Sequence, residues 1–142
     1  MTENLILKKS ITINASLSKA WKALTDPEQI KKYFFGTEVV TDWKKGSPII
    51  YRGVWQGKPY KDKGTILDIE NEKFIYYNYW SSFSGTADKP ENYANIRYEL
   101  SKNSQGVIFT ITQDGIKSQE LLNHSGKNWD FIMDELKKLL EA

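Results

Sequence analysis

Residues 117–142 read KSQELLNHSGKNWDFIMDELKKLLEA. Within them Leu121, Leu122, Trp129, Ile132, Met133, Leu136, Leu139 and Leu140 recur at spacings of three and four, the period of a helix with one buried face. Such a stripe needs a partner surface. The only segment large enough to supply it is residues 36–114, where turn signals punctuate β-rich runs. The pattern predicts a long C-terminal helix laid on a sheet, and a sheet curled around a helix leaves room for a cavity between the layers.

Upstream, residues 5–13 alternate as a strand, with Ile11 and Ile13 on one face. Ser16 can cap a helix over Leu17–Leu24 that carries Ala20, Trp21 and Leu24 on one side. This helix stops at Thr25-Asp26-Pro27. Proline is favoured at the first helical position, and Asp26 can accept the orphan amides of a second short helix bearing Ile30, Tyr33 and Phe34. Strands are then predicted at Thr37–Thr41, Pro48–Gln56, Lys63–Glu70, Lys73–Ser82, Asn92–Ser101 and Gln105–Asp114. Their connectors, among them Lys45-Gly46, Gln56-Gly57-Lys58-Pro59 and Glu70-Asn71-Glu72, are too short for parallel crossovers and favour an antiparallel meander. Ser81–Glu91 is the longest loop and the one expected to move. The expected fold is α+β: β-α-α-β6 with a curved antiparallel sheet wrapped around the last helix, as a single domain over residues 1–142.

Composition removes several classes of function. Among 142 residues, 39% are hydrophobic and 27% charged, and no apolar run approaches the roughly 20 residues that span a bilayer. Met1-Thr2-Glu3-Asn4 is not a basic segment leading into an apolar one, so a cytoplasmic location is expected. Zero cysteines exclude disulfides, thiolate metal sites and a cysteine nucleophile. The net charge is only +2, and arginine occurs only as Arg52 and Arg97, so no nucleic-acid partner is expected.

Catalytic signals are sparse. His124 is the single histidine, and no serine sits in a Gly-x-Ser-x-Gly turn, so a serine triad is not expected. Neither a metal nor a cofactor is expected, because no spaced acidic loop and no phosphate-cradling glycine pattern occurs. Among carboxylates, Asp68, Glu99 and Asp114 fall in predicted strands. A buried one could act as general acid or base, but if Ile96, Tyr98 and Leu100 face inward, Arg97 and Glu99 point outward and suit cross-strand charge pairs.

Aromatic residues carry the remaining signal: 5 Trp, 8 Tyr and 6 Phe, many of them in strands. They can fill a core, yet each buried tyrosine hydroxyl needs a hydrogen-bond partner that an apolar core lacks. Core and pocket are equally compatible with Tyr51, Tyr77, Tyr79 and Tyr98. Alternation groups Tyr51 with Trp55, Ile75 with Tyr77 and Tyr79, and Phe109 with Ile111. Either face of the Lys73–Ser82 strand could be the concave one. The expected ligand-binding set is Phe34, Tyr51, Trp55, Tyr77, Tyr79, Ile96, Tyr98, Phe109, Ile111, Trp129 and Met133, with Phe34 as a gate at the elbow and no catalytic residue.

The stretch Ala15-Ser16-Leu17-Ser18-Lys19-Ala20-Trp21-Lys22-Ala23-Leu24-Thr25-Asp26-Pro27-Glu28 resembles the opening signature of the heat-shock-protein ATPase activator homologues. These belong to the superfamily of steroidogenic lipid-transfer, birch-pollen-allergen and polyketide-cyclase domains. The resemblance continues through Gly64-Thr65-Ile66-Leu67-Asp68-Ile69, Phe74-Ile75-Tyr76-Tyr77, Ile96-Arg97-Tyr98-Glu99-Leu100, Gly106–Thr112 and the Trp129 helix. It implies a helix-grip fold and the binding of a small hydrophobic, aromatic or lipid-like molecule under the last helix. Two alternatives follow from it: a co-chaperone-like regulator of a heat-shock ATPase, or a cyclase or hydrolase using the same pocket. The expected partners are a small hydrophobic molecule or, under the co-chaperone alternative, a chaperone, with the chain a monomer or homodimer. Gly126-Lys127-Asn128-Trp129 replaces the family's adjacent Gly-Trp, and Lys45-Gly46-Ser47-Pro48 its Gly-Gly pair, so ligand choice does not transfer.

Overall fold

The structure, a computed structural model, describes residues 5–81 and 85–142, without the side chain of Trp55. The chain runs β1 (Leu5–Ile13), α1 (Leu17–Thr25), α2 (Pro27–Tyr33), β2 (Glu38–Val40), β3 (Pro48–Trp55), β4 (Lys58–Glu70), β5 (Phe74–Tyr79), β6 (Ala94–Asn103), β7 (Gly106–Ile116) and α3 (Gln119–Glu141). Its seven strands form an antiparallel sheet in the order β1-β7-β6-β5-β4-β3-β2. The sheet curves around α3, which packs on β1, β7, α1 and α2. The α+β helix-grip architecture read from the sequence is thus the one observed.

Local chemistry accounts for the elements near the site. Ser16 Oγ accepts from Lys19 N at 3.1 Å to start α1, and Asp26 Oδ1 accepts from Glu28 N at 3.0 Å to start α2 with Pro27 at its first position. These caps set the elbow that turns Ile30 and Tyr33 inward. Ser118 caps α3 by accepting from Leu121 N at 3.1 Å. The apolar stripe of α3 then buries Trp129, Ile132, Met133, Leu136 and Leu140 against the sheet.

Several boundaries differ from the sequence reading. Lys58 and Pro59 belong to β4, because Gln56 (φ 51°) and Gly57 (φ 79°) alone make a two-residue turn whose twist matches the hairpin. Pro59 fits there because β5 pairs only with the later part of β4, so its missing N–H breaks no second ladder. Leu121, counted in the apolar stripe, is 51% exposed because it precedes the part of α3 that meets the sheet. Arg97 and Glu99 do face outward, but their 3.5 Å ion pair runs along one strand, and across strands the Arg97 guanidinium lies over the rings of Phe74 and Tyr76. Within the Ser81–Glu91 loop, Trp80 Nε1 donates to Thr86 Oγ1 and Lys63 pairs with Asp88, so its described far half is tied to the sheet. Residues 82–84, where mobility was also expected, lie outside the described set.

One glycine is required by a close approach. A Cβ on Gly64 would sit 1.8 Å from the carbonyl oxygen of Asn78, where β4 and β5 draw together. Beside it the Asn78 side chain accepts from Thr65 N at 2.7 Å.

Candidate functional site

On the concave face of the sheet, β5 turns Ile75, Tyr77 and Tyr79 inward, which answers the question that alternation left open. Tyr51 on β3 and Tyr98 on β6 point to the same space, and α2 contributes Tyr33 and Phe34 from above. The rings interlock: Phe34 stacks on Tyr51 with centroids 6.0 Å apart, Tyr77 meets Tyr98 edge-on at 5.4 Å, and Tyr98 meets Phe109 edge-on at 5.3 Å. Trp129 on α3 stands edge-on to both Phe34 and Tyr98. Its indole N–H donates to Gln113 Oε1 at 2.7 Å.

A band of polar atoms crosses this apolar face. Tyr77 Oη donates to Tyr98 Oη at 2.9 Å, and the Tyr51 ring lies tilted against that of Tyr77 with centroids 6.2 Å apart. Tyr33 Oη donates to the Ala23 carbonyl at 2.9 Å. Nearer the β3–β4 end, Tyr79 Oη donates to Asp62 Oδ2, and Thr37 Oγ1 lies 2.5 Å from Tyr60 Oη. Burial pushes the phenols of Tyr33, Tyr51, Tyr77 and Tyr98 up, and that of Tyr79 as well, where the neighbouring Asp62 carboxylate adds to the effect. All five therefore stay protonated at neutral pH, and Tyr33, Tyr77 and Tyr79 donate.

Among these groups lies a void of about 20 Å³, bounded by α1, α2, β2, β3, β5 and β6. It has room for about one water molecule. The ligand-sized cavity expected under α3 is therefore closed in this conformation, filled by the aromatic rings themselves. Of the expected lining set, Phe34, Tyr51, Tyr77 and Tyr98 bound the void; Ile96, Phe109, Ile111, Trp129 and Met133 are buried nearby without lining it, and Tyr79 is half-buried beside Asp62. The side chain of Trp55 lies outside the described residues. An open groove of about 560 Å³ on the outer face is larger, but its Lys8, Ser10, Glu99 and Thr110 form a solvated strip with no converging aromatic wall.

The carboxylates singled out from sequence take structural roles. Asp114 accepts from the Asn95 backbone N–H at 2.8 Å and from its side chain at 3.1 Å, Asp68 accepts from Ile69 N, and Glu99 faces outward. The interior carboxylate is Asp62, only 6% exposed. It was missed because the expected strand began at Lys63, leaving Asp62 outside any predicted element. Starting β4 at Lys58 puts Asp62 in phase with Gly64 and Ile66 and directly opposite Tyr51. Leu24, Ile30, Tyr33, Val39, Trp43, Ile49 and Ile75 also bound the void. His124 lies on the exposed side of α3, 3.4 Å from Asn128 Nδ2. Among the described residues, no group of His, Cys, Asp and Glu is arranged to hold a metal, and no helix is long and apolar enough to cross a membrane.

Comparison with known proteins extends these observations. Residues 14–141 match the family model described as activator of Hsp90 ATPase homolog 1-like protein. The solution structure of a Cytophaga hutchinsonii protein is 42% identical and superposes with a TM-score of 0.85 over 99% of this chain and 96% of that one. A Chromobacterium violaceum protein (17% identical, TM-score 0.78, 96% of this chain and 97% of that one) and the Aha1 dimer from Colwellia psychrerythraea (18% identical, TM-score 0.77, 96% of each chain) share the fold. No curated protein matches the sequence significantly. With a family match running from the end of β1 to the end of α3, and a close relative aligned along nearly its whole length, the chain belongs to the activator of Hsp90 ATPase homolog 1-like family.

Proposed function

We propose that the protein binds a small, mostly apolar, aromatic or lipid-like molecule between the sheet and α3, in space opened when Phe34 leaves Tyr51 and Trp129. The observation that carries this reading is the convergence of tyrosines on one interior void. A core serving stability alone would do better with phenylalanine at positions 51, 77 and 98, because burying a hydroxyl costs free energy that its hydrogen bond only offsets. Phe34 is suited to gate the site. It is half-buried, it ends α2, and it precedes Phe35 (φ 56°) and Gly36 (φ 71°), a left-handed pair that holds the elbow in a conformation costly for a bulky residue.

The test is titration of the folded protein with a hydrophobic dye such as anilinonaphthalene sulfonate, followed by melting temperature. Saturable binding of one dye per chain should raise it, by about 2.7 kcal/mol of stability at a hundredfold excess over Kd. Trp129→Ala should abolish the shift. A melting curve unmoved by the dye and by a broad panel of small aromatics and lipids overturns the proposal.

A second reading, regulation of a heat-shock ATPase, is favoured by an exterior feature. Phe35 and Phe131 stack at 5.2 Å with rings 9° from parallel while remaining 39% and 49% exposed. Exposed stacked aromatics suit a protein partner. This reading expects the chain to accelerate ATP turnover by an Hsp90-type ATPase, and Phe131→Ser to remove that effect while sparing dye binding. Unchanged turnover excludes it. Both readings take the cytoplasm as the protein's location.

A further inference from the structure

Tyr77 Oη donates to Tyr98 Oη at 2.9 Å, and the Tyr51 ring lies beside that of Tyr77 with centroids 6.2 Å apart. Three hydroxyls carry three protons, and this bond uses the one on Tyr77. The protons of Tyr51 and Tyr98 are left. Among the described residues, neither hydroxyl donates to a protein acceptor. Both tyrosines border the void. An unmatched donor inside an aromatic wall is worth more to an incoming acceptor than the same donor in water, since the local dielectric is low and the Tyr77 hydroxyl polarises that of Tyr98.

We propose that the Tyr51 and Tyr98 hydroxyls are the polar recognition point of the site, receiving one acceptor oxygen, a ketone, aldehyde or ester carbonyl, from an otherwise apolar aromatic ligand. The inference rests on the ligand-binding reading above and narrows it. A hydrocarbon leaves the spare donors unmatched, and a ligand that presents only donors meets donors. The preferred molecule places its single carbonyl oxygen between Tyr98 and Tyr51 and its ring against Phe34 and Trp129.

The test compares acetophenone with α-methylstyrene, which has nearly the same shape and a methylene group in place of the oxygen. In calorimetric titration of the wild-type protein, acetophenone should bind about tenfold more tightly, the value of one hydrogen bond. The carbonyl carbon resonance of labelled acetophenone should move downfield on binding. Tyr98→Phe and Tyr51→Phe, tested separately, should include at least one variant that removes the tenfold preference and the resonance shift. α-Methylstyrene affinity should be unchanged in that variant, which also reports that it is folded. Equal affinities for the two probes in the wild type, or a preference that survives in both variants, overturns the assignment of the Tyr51 and Tyr98 hydroxyls and leaves the ligand-binding reading standing. If neither probe binds and the dye and ligand panel also leave the melting curve unmoved, both fall together.

Discussion

Trp129 Nε1 donates to Gln113 Oε1 at 2.7 Å, a side-chain bond that fixes α3 to β7 across the interior. The same indole ring stands edge-on to Phe34 at 6.1 Å and to Tyr98 at 5.9 Å. One residue thereby holds the helix in register with the sheet and touches both the proposed gate and Tyr98, one of the two proposed recognition tyrosines. Disturbance at the helix is transmitted to the site by direct contact.

Replacing Trp129 by Phe keeps an aromatic ring but strands the Gln113 carbonyl. The expected loss is about 1–3 kcal/mol, because an interior acceptor left without its donor bears its desolvation cost. Adding Gln113→Leu should recover part of it. Denaturant melts of the two single variants and the double variant check this, and strictly additive losses would contradict the coupling.

Phe34→Ala should destabilise the fold by about 1–3 kcal/mol, less than a fully enclosed phenylalanine because the ring is half-buried. Dye binding should nevertheless strengthen, since removing the ring joins its volume to the void. A variant that loses stability with no gain in dye affinity would show that Phe34 is packing rather than a gate.

Two glycines should respond differently to alanine. At Gly64 the new Cβ would lie 1.8 Å from a backbone oxygen that cannot retreat without parting β4 from β5, so a loss above about 3 kcal/mol or failure to fold is expected. At Gly57 no atom lies within 4 Å and the cost is that of a left-handed alanine, about 1 kcal/mol. Thermal melts of the two variants rank them directly.

Stability should fall steeply above pH 10. An unfolded tyrosine loses its proton near that value, whereas Tyr33, Tyr51, Tyr77, Tyr79 and Tyr98 hold theirs to higher pH because burial disfavours the phenolate. Below pH 10 both states are protonated and the contribution is fully present; above it only the unfolded chain ionises readily, so alkali favours unfolding. Tyr93, by contrast, is exposed enough to ionise in the native state, at about pH 12. Near-ultraviolet tyrosinate absorbance should therefore rise cooperatively with loss of circular dichroism. A gradual titration of all eight tyrosines in a folded protein would contradict the burial argument.

Much of the architecture was legible in the chain because it is encoded locally. Ser16 and Asp26 cap the helices they were expected to cap, Pro27 opens α2, and the spacing from Trp129 to Leu140 puts the buried side of α3 on the sheet. What misled was register at turns. Two left-handed residues sufficed at Gln56-Gly57 where four were allotted, and the five residues thereby assigned to the strand carried Asp62 to the inner face. A single strand start, wrong by five positions, hid the interior carboxylate.

By itself the sequence determined which residues make helices and strands, which of their faces are apolar, and that tyrosines concentrate in the strands, since period and composition are properties of neighbouring residues. Tertiary structure alone decided that Tyr77 rather than Tyr76 faces inward, that Tyr77 and Tyr98 join hydroxyls beside Tyr51, and that the space between sheet and helix is closed to about 20 Å³. Those outcomes depend on sheet curvature and on rings arriving from strands more than twenty residues apart, and no local periodicity records how such rings fill a volume.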